Sequence, residues 1–179
     1  MDDNSIFIYM DTCIISRIAD QNIEPKEAKA LRELGDLDNV RLLTSKKLTE
    51  EIQKAPYETT RELLLFVAGQ FGKVPYIEIT IPTHWPWGSP PWSQLPWGTE
   101  RWGRGRVDSV YDGLRKIFEP DDTDHIFQAT KNNCDYFMTL DDRTILKRVK
   151  AHKDELSLLC PKLKFGTPSE ILGMILEHE

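Results

Sequence analysis

The sequence predicts an α/β fold, a three-layer α/β/α sandwich around a mainly parallel central sheet. Residues 5–10 and 136–140 are short apolar runs, the signature of strands buried on both faces. Helical stretches separate them and a further strand at 40–44, and alternation of strands with helices is the pattern of a parallel sheet. Both apolar runs stop on an aspartate, Asp11 and Asp141. In open α/β sheets ligands bind beyond the carboxyl ends of the strands, so both acids are placed to reach one crevice.

The elements follow in order. After the first strand a helix begins at Thr12, and a second spans 25–34, with Pro25 suited to its first turn and Gly35 to its end. The strand at 40–44 is followed by Ser45, an expected N-cap for a helix running to about Ala55. Residues 57–68 form another helix with Leu63, Leu64, Phe66 and Val67 on its buried side. Residues 76–81 alternate like a half-buried strand. Helices are expected at 107–118 and 123–132, then the strand at 136–140 and a charged helix at 143–151. A short strand at 163–165 and a helix from Pro168 complete the set.

Composition bounds the function. The length, 179 residues, suits one domain over 1–179, and 40% hydrophobic with 29% charged residues describes an ordinary globular chain. Lys and Arg number 23 against 29 Asp and Glu, leaving −6, which excludes a generally basic nucleic-acid coat but not a local basic patch. No window supplies the roughly 18 apolar residues of a membrane span. The acidic opening Met1-Asp2-Asp3-Asn4 is unlike a secretion signal, and Cys13, Cys134 and Cys160 have no paired spacing. A cytoplasmic protein with reduced thiols is the expectation.

Two further acids join Asp11 and Asp141. Glu50 has Lys46 at i−4, Lys47 at i−3 and Lys54 at i+4, a solvated salt-pair face, whereas Glu51 shares a face with Leu48 and Ala55 and leans inward. In the run Asp121-Asp122-Thr123-Asp124, one of the first two acids suits a helix cap. Asp124, with Phe127 and Gln128 at i+3 and i+4, is placed at the inner edge. Carboxylates gathered together repel, and a hard divalent cation resolves the conflict. Oxygen ligands suit Mg²⁺ or Mn²⁺, which bind phosphate oxygens and activate water for attack on a phosphodiester. The four histidines, His84, His125, His152 and His178, lack ligand spacing, which argues against zinc.

At these residues the sequence resembles the PIN-domain nucleases, including the VapC-like ribonuclease toxins. The matching segments are Ile8-Tyr9-Met10-Asp11-Thr12, Thr44-Ser45 with Glu51-Ile52, Asp124 with Phe127 and Ala129, and Thr139-Leu140-Asp141-Asp142-Arg143. The ending Phe165-Gly166-Thr167-Pro168-Ser169-Glu170-Ile171-Leu172 also looks like the family's last strand and helix. The resemblance implies four catalytic, metal-binding acids, Asp11, Glu51, Asp124 and Asp141, holding one or two Mg²⁺ or Mn²⁺ ions. Thr139 matches a hydroxyl residue that often precedes the last acid, and Asp142 is taken as a second accessory residue. It implies endonucleolytic cleavage of RNA, a possible antitoxin partner and a homodimer. Cys13 departs from the pattern, standing where Asn or Ser is common.

A Trp/Pro-rich insertion at about 78–106 also departs from the compact toxins. It carries Trp85, Trp87, Trp92, Trp97 and Trp102 interleaved with five prolines, followed by Arg101, Arg104 and Arg106. Prolines exclude a regular helix or a central strand. Trp102, Arg104 and Arg106 suit stacking on unpaired bases and pairing with phosphate, although the same composition suits a protein interface or self-packing. Arg143, Lys147 and Lys150 place positive charge on one helix face after Asp141, a solvated face or a phosphate contact. The alternative to a metal-dependent endoribonuclease is a catalytically silent module of the same fold that binds RNA or a protein through the Trp-rich segment. A phosphotransfer protein is disfavoured because Cys13 stands two residues after Asp11, where a phosphatase needs a second acid.

Overall fold

Five parallel strands form one sheet in the order β3-β2-β1-β4-β5: β1 (Ile6–Met10), β2 (Val40–Thr44), β3 (Gly72–Lys73), β4 (Tyr136–Met138) and β5 (Lys164–Gly166). The computed structural model describes residues 5–77 and 108–177. The helices are α1 (Thr12–Ala19), α2 (Pro25–Asp36), α3 (Lys46–Gln53), α4 (Glu58–Ala68), α5 (Ser109–Leu114), α6 (Pro120–Lys131), α7 (Ile145–Ala151), α8 (Lys153–Leu159) and α9 (Pro168–Leu176).

Strand β1 sits at the centre, with Ile8 in register with Leu42 of β2 on one side and Tyr136 of β4 on the other. The chain builds the sheet outward from β1 through β2 to β3, then returns to its other side for β4 and β5. The gap between the ends of β1 and β4 is therefore the topological switch point, where helices leave in opposite directions and a crevice opens.

Alternation along the strands splits the core into two layers. Tyr9, Phe137 and Phe165 face α5, α6, α7 and α8 and pack with Leu114, Ile126, Phe127, Ile145 and Leu156. The Tyr9 and Phe137 rings stack with centroids 5.6 Å apart. Ile8, Met10, Tyr136 and Met138 face the other way, against Ile14, Leu34, Leu48, Leu64, Ile171 and Ile175 from α1, α2, α3, α4 and α9. Burying a side chain of this size stabilises by about 1.5–3 kcal/mol, so the central strands are the most firmly held part of the molecule. This is the three-layer α/β/α architecture expected from the sequence.

Several elements differ from expectation. Pro25 does stand in the first turn of α2, but Gly35 lies inside its last turn and the helix ends at Asp36. Leu63 and Phe66 face outward from α4, which buries Leu64, as expected, together with Ala68. The third strand is Gly72–Lys73; Tyr76 and Ile77 are irregular, and the rest of the expected strand at 78–81 lies outside the described residues. Gln128 explains why Ile77 needs no ladder partner. Its buried amide accepts from the Ile77 N–H at 2.9 Å and donates to the Ile77 carbonyl at 2.7 Å. Helix α5 is shorter than expected, α6 begins at Pro120 rather than Thr123, and α8 has no counterpart in the sequence reading.

Candidate active site

Asp11 and Asp141 leave the ends of adjacent strands and are joined by one threonine. The Asp11 N–H bonds the Met138 carbonyl at 3.0 Å, which ties the end of β1 to the end of β4. Asp11 stands at the N-cap of α1 but its side chain makes no cap bond. It accepts the Thr139 hydroxyl at Oδ2, 2.7 Å, and is only 7% exposed. Thr139 Oγ1 in turn accepts the Asp141 N–H at 3.0 Å. Cys13 completes the join: its Sγ lies 3.2 Å from Thr139 Oγ1 and accepts the Leu140 N–H at 3.2 Å.

Asp141 combines cap and site. Its Oδ1 accepts the N–H groups of Arg143 (3.1 Å) and Thr144 (2.9 Å), and its Oδ2 accepts the Thr144 hydroxyl. Partial burial raises its carboxyl, but these donors outweigh that effect and hold it below the usual carboxylate range. The expected charged helix thus begins two residues late, at Ile145, because Asp141 folds residues 141–144 into a turn.

The third acid beside them is Asp122, not Asp124. Burial, then the negative charges of Asp11 and Asp141, push the Asp122 carboxyl up to about 6. Among the described residues none of Asp11, Asp122 and Asp141 is in an ion pair; the cations on this side of α6 are engaged elsewhere. Asp121 or Asp122 was the expected cap, yet the N-cap of α6 is Glu119, with no side-chain cap bond. Starting the helix at Pro120 rotates Asp122 toward the strand ends and swings Asp124 away from them.

Asp124 faces α3 and α5. Its Oδ2 lies 2.8 Å from Lys47 Nζ, and its Oδ1 accepts the Tyr111 hydroxyl at 2.8 Å. Lys47 also reaches Asp121 Oδ1 at 2.9 Å and Glu51 Oε1 at 3.9 Å. The expectation that Lys47 belongs to the solvated face of α3 is corrected here: its side chain is 11% exposed. Burial would lower its ammonium, but Asp124 and Asp121 outweigh that and hold it above the usual range. Lys46 and Glu50 do pair at 3.2 Å on the exposed face.

Glu51 points inward and is wired through a buried histidine. The Thr12 hydroxyl donates to Glu51 Oε2 at 2.6 Å, and His125 Nε2 lies 3.0 Å from Oε1 and 3.2 Å from Thr12 Oγ1. The contact with Oε1 is not an aligned hydrogen bond, so that oxygen is buried without a well-directed donor. Burial raises the Glu51 carboxyl, but His125, Thr12 and Lys47 hold it below its usual range. Burial pulls the His125 imidazole down, but Glu51 outweighs it and raises the imidazole. On its other side His125 Nδ1 meets the Tyr9 hydroxyl at 2.8 Å, which meets Ser45 Oγ at 2.6 Å. Ser45 therefore makes no side-chain cap bond to α3. His125 itself is fully buried.

The remaining expected residues are dispersed. Asp142, Arg143 and Lys147 are exposed, with Arg143 in the turn rather than on the helix. Arg148 pairs with Glu119 at 2.8 Å, leaving the basic face of α7 to Lys147 and Lys150. Trp102, Arg104 and Arg106 lie outside the described residues. Asp122, His125, Lys47 and Thr12 were missed. The i, i+3 spacing of Asp122 and His125, with Ala129 four residues further on, was the available signal for a shared inner face of α6.

Three carboxylates at a switch point, all oxygen donors and none in an ion pair among the described residues, fit a hard divalent ion. Among the described residues, no three His, Cys, Asp or Glu side chains stand in a ready coordination cluster. The group is thus an electrostatic demand for a cation rather than a formed coordination sphere. No family model, curated protein or solved structure matches the chain.

Proposed function

We propose that this protein is a metal-dependent endoribonuclease in which Asp11, Asp122 and Asp141 hold Mg²⁺ or Mn²⁺, with Glu51 alongside. One observation carries the reading: two neighbouring parallel strands bring Asp11 and Asp141 to the switch point, and α6 adds Asp122, none of the three in an ion pair among the described residues. When bound, the ion supplies an activated water and offsets charge on a phosphodiester. The chain's own residues do the positioning. Thr139 fixes the Asp11 carboxylate and the Asp141 backbone in one geometry, and Thr144 fixes the Asp141 carboxylate. Phosphate contact falls to Arg143 and Lys147, and their exposure just beyond Asp141 supports that role.

RNA as substrate, an antitoxin partner and a homodimer are supported by the resemblance of the matched segments to the PIN-domain nucleases. The three free cysteines suit a reducing cytoplasm, and no described helix is long and apolar enough to cross a membrane. The test is cleavage of labelled single-stranded RNA and DNA in Mg²⁺, Mn²⁺ or EDTA by the parent, Asp11→Asn, Asp122→Asn and Asp141→Asn. RNA cutting that needs metal and is lost in all three variants is expected. RNA binding without cutting in any metal would replace the nuclease with the silent binding module.

A further inference from the structure

We infer that the Lys47 ammonium occupies the place a second divalent ion would take, so that this site binds a single ion on the Asp11–Asp122–Asp141 side. The inference rests on the metal-dependent reading proposed above. Six acids gather at the carboxyl edge of the sheet, and they divide into two sets of three. Glu51 from α3 and Asp121 and Asp124 from α6 all turn to Lys47 Nζ, at 3.9, 2.9 and 2.8 Å. Asp11, Asp122 and Asp141 have no ion-pair partner among the described residues.

The geometry explains why the first set rejects a second ion. The two short distances are those of charge-assisted hydrogen bonds, and an ammonium's three protons can serve three carboxylates at once. Lysine is seldom this buried unless paired, and its stem here runs down the inner face of α3, one turn before Glu51. The cation is covalently tethered and needs no dehydration, whereas a divalent ion entering the same space must displace it. Paired metal ions stand roughly 3.5–4 Å apart and are stabilised by shared anionic ligands. With Lys47 present, those ligands already share a cation and a second dication would meet a fixed positive charge. The result is an asymmetric site: one exchangeable ion and one permanent cation that chelators cannot remove.

The test counts bound Mn²⁺ per chain on the purified full-length protein, by calorimetry and by the electron paramagnetic resonance signal of free Mn²⁺. The parent is expected to bind one ion, Lys47→Arg one and Lys47→Gln two, with folding of each variant checked by circular dichroism. Asp122→Asn is expected to lose the parent's ion, and Asp124→Asn to keep it. Two ions in the parent would overturn the inference while leaving the metal reading intact, and this count does not depend on any variant folding. One ion in folded Lys47→Gln, or loss of the ion in Asp124→Asn but not in Asp122→Asn, would also overturn it. No Mn²⁺ binding by the parent would remove the metal-dependent reading and this inference together.

Discussion

Asp122 concentrates the conflict of the site in one side chain. Its carboxyl is raised to about 6 because it is half-buried beside two other acids, so the folded protein binds this proton more tightly than the unfolded chain. The stability it contributes is full below about pH 4, the ordinary aspartate value, and is lost as pH climbs through the raised value. Metal-free Asp122→Asn should therefore be more stable than the parent near pH 7, by about 1 kcal/mol after discounting the shift for solvent screening of a partly exposed group. The gain should vanish below about pH 4, and thermal melts in EDTA across that range measure it. An unchanged or lower melting temperature near pH 7 would contradict the placement of Asp122 beside Asp11 and Asp141. Thr139 gives the matching prediction for activity. Thr139→Val keeps the shape but removes the hydroxyl that holds both Asp11 and Asp141, and RNA cleavage should fall at least about tenfold, the equivalent of one lost hydrogen bond to a charged group. Full parental cleavage by this variant would show that the threonine does not position the acids.

Helices meet the sheet through specific polar ties as well as apolar faces. The N-terminus of α9 is closed by a capping box, in which Thr167 and Glu170 satisfy each other's backbone N–H groups. Glu27 reaches across from α2 and takes the Ser169 N–H at 2.9 Å and its hydroxyl at 2.7 Å. This buried carboxylate thus pins two helices of one layer and sits favourably at the positive end of α9. Glu27→Ala should cost about 2 kcal/mol through these two charge-assisted bonds. For a chain of this size that is a drop of roughly 4–8 °C in Tm, read by calorimetry, with RNA cleavage below the transition unchanged. A loss of cleavage without a loss of stability would mean that Glu27 serves the site and not the helix pair.

At the scale of the molecule, the switch point between β1 and β4 collects three carboxylates that form no ion pair among the described residues. A ligand that binds only the folded state stabilises it by mass action, by about 2.7 kcal/mol at one hundred times its Kd. Adding Mn²⁺ to the metal-free parent should raise Tm by roughly 5–11 °C at that concentration, and Asp11→Asn should abolish the rise. An equal rise in both proteins would place any bound ion elsewhere. Lys47 sharpens the asymmetry of this region, since one half of the acids shares its ammonium and the other half has no ion-pair partner among the described residues.

The layer architecture was legible in the sequence because buried strands and amphipathic helices write their burial locally, as apolar runs and periodicity. Residues 5–10 and 136–140 could be read as central strands without knowing their neighbours, and Asp11 and Asp141 followed as their polar ends. Glu51 was separated from Glu50 by the same local geometry. Tertiary structure decided the rest. Whether α6 begins at Pro120 or Thr123 changes which acid turns toward the strand ends, and nothing in the run Asp121-Asp122-Thr123-Asp124 distinguishes the two. The two close partners of Lys47 are 74 and 77 positions away in the chain, so its burial could not be seen beside Lys46 and Glu50. His125 likewise gains its role from Tyr9, Thr12 and Glu51, which only the packing of α6 against β1, α1 and α3 brings together. Burial of apolar groups is a property of local pattern, whereas the pairing of charges depends on distance in space.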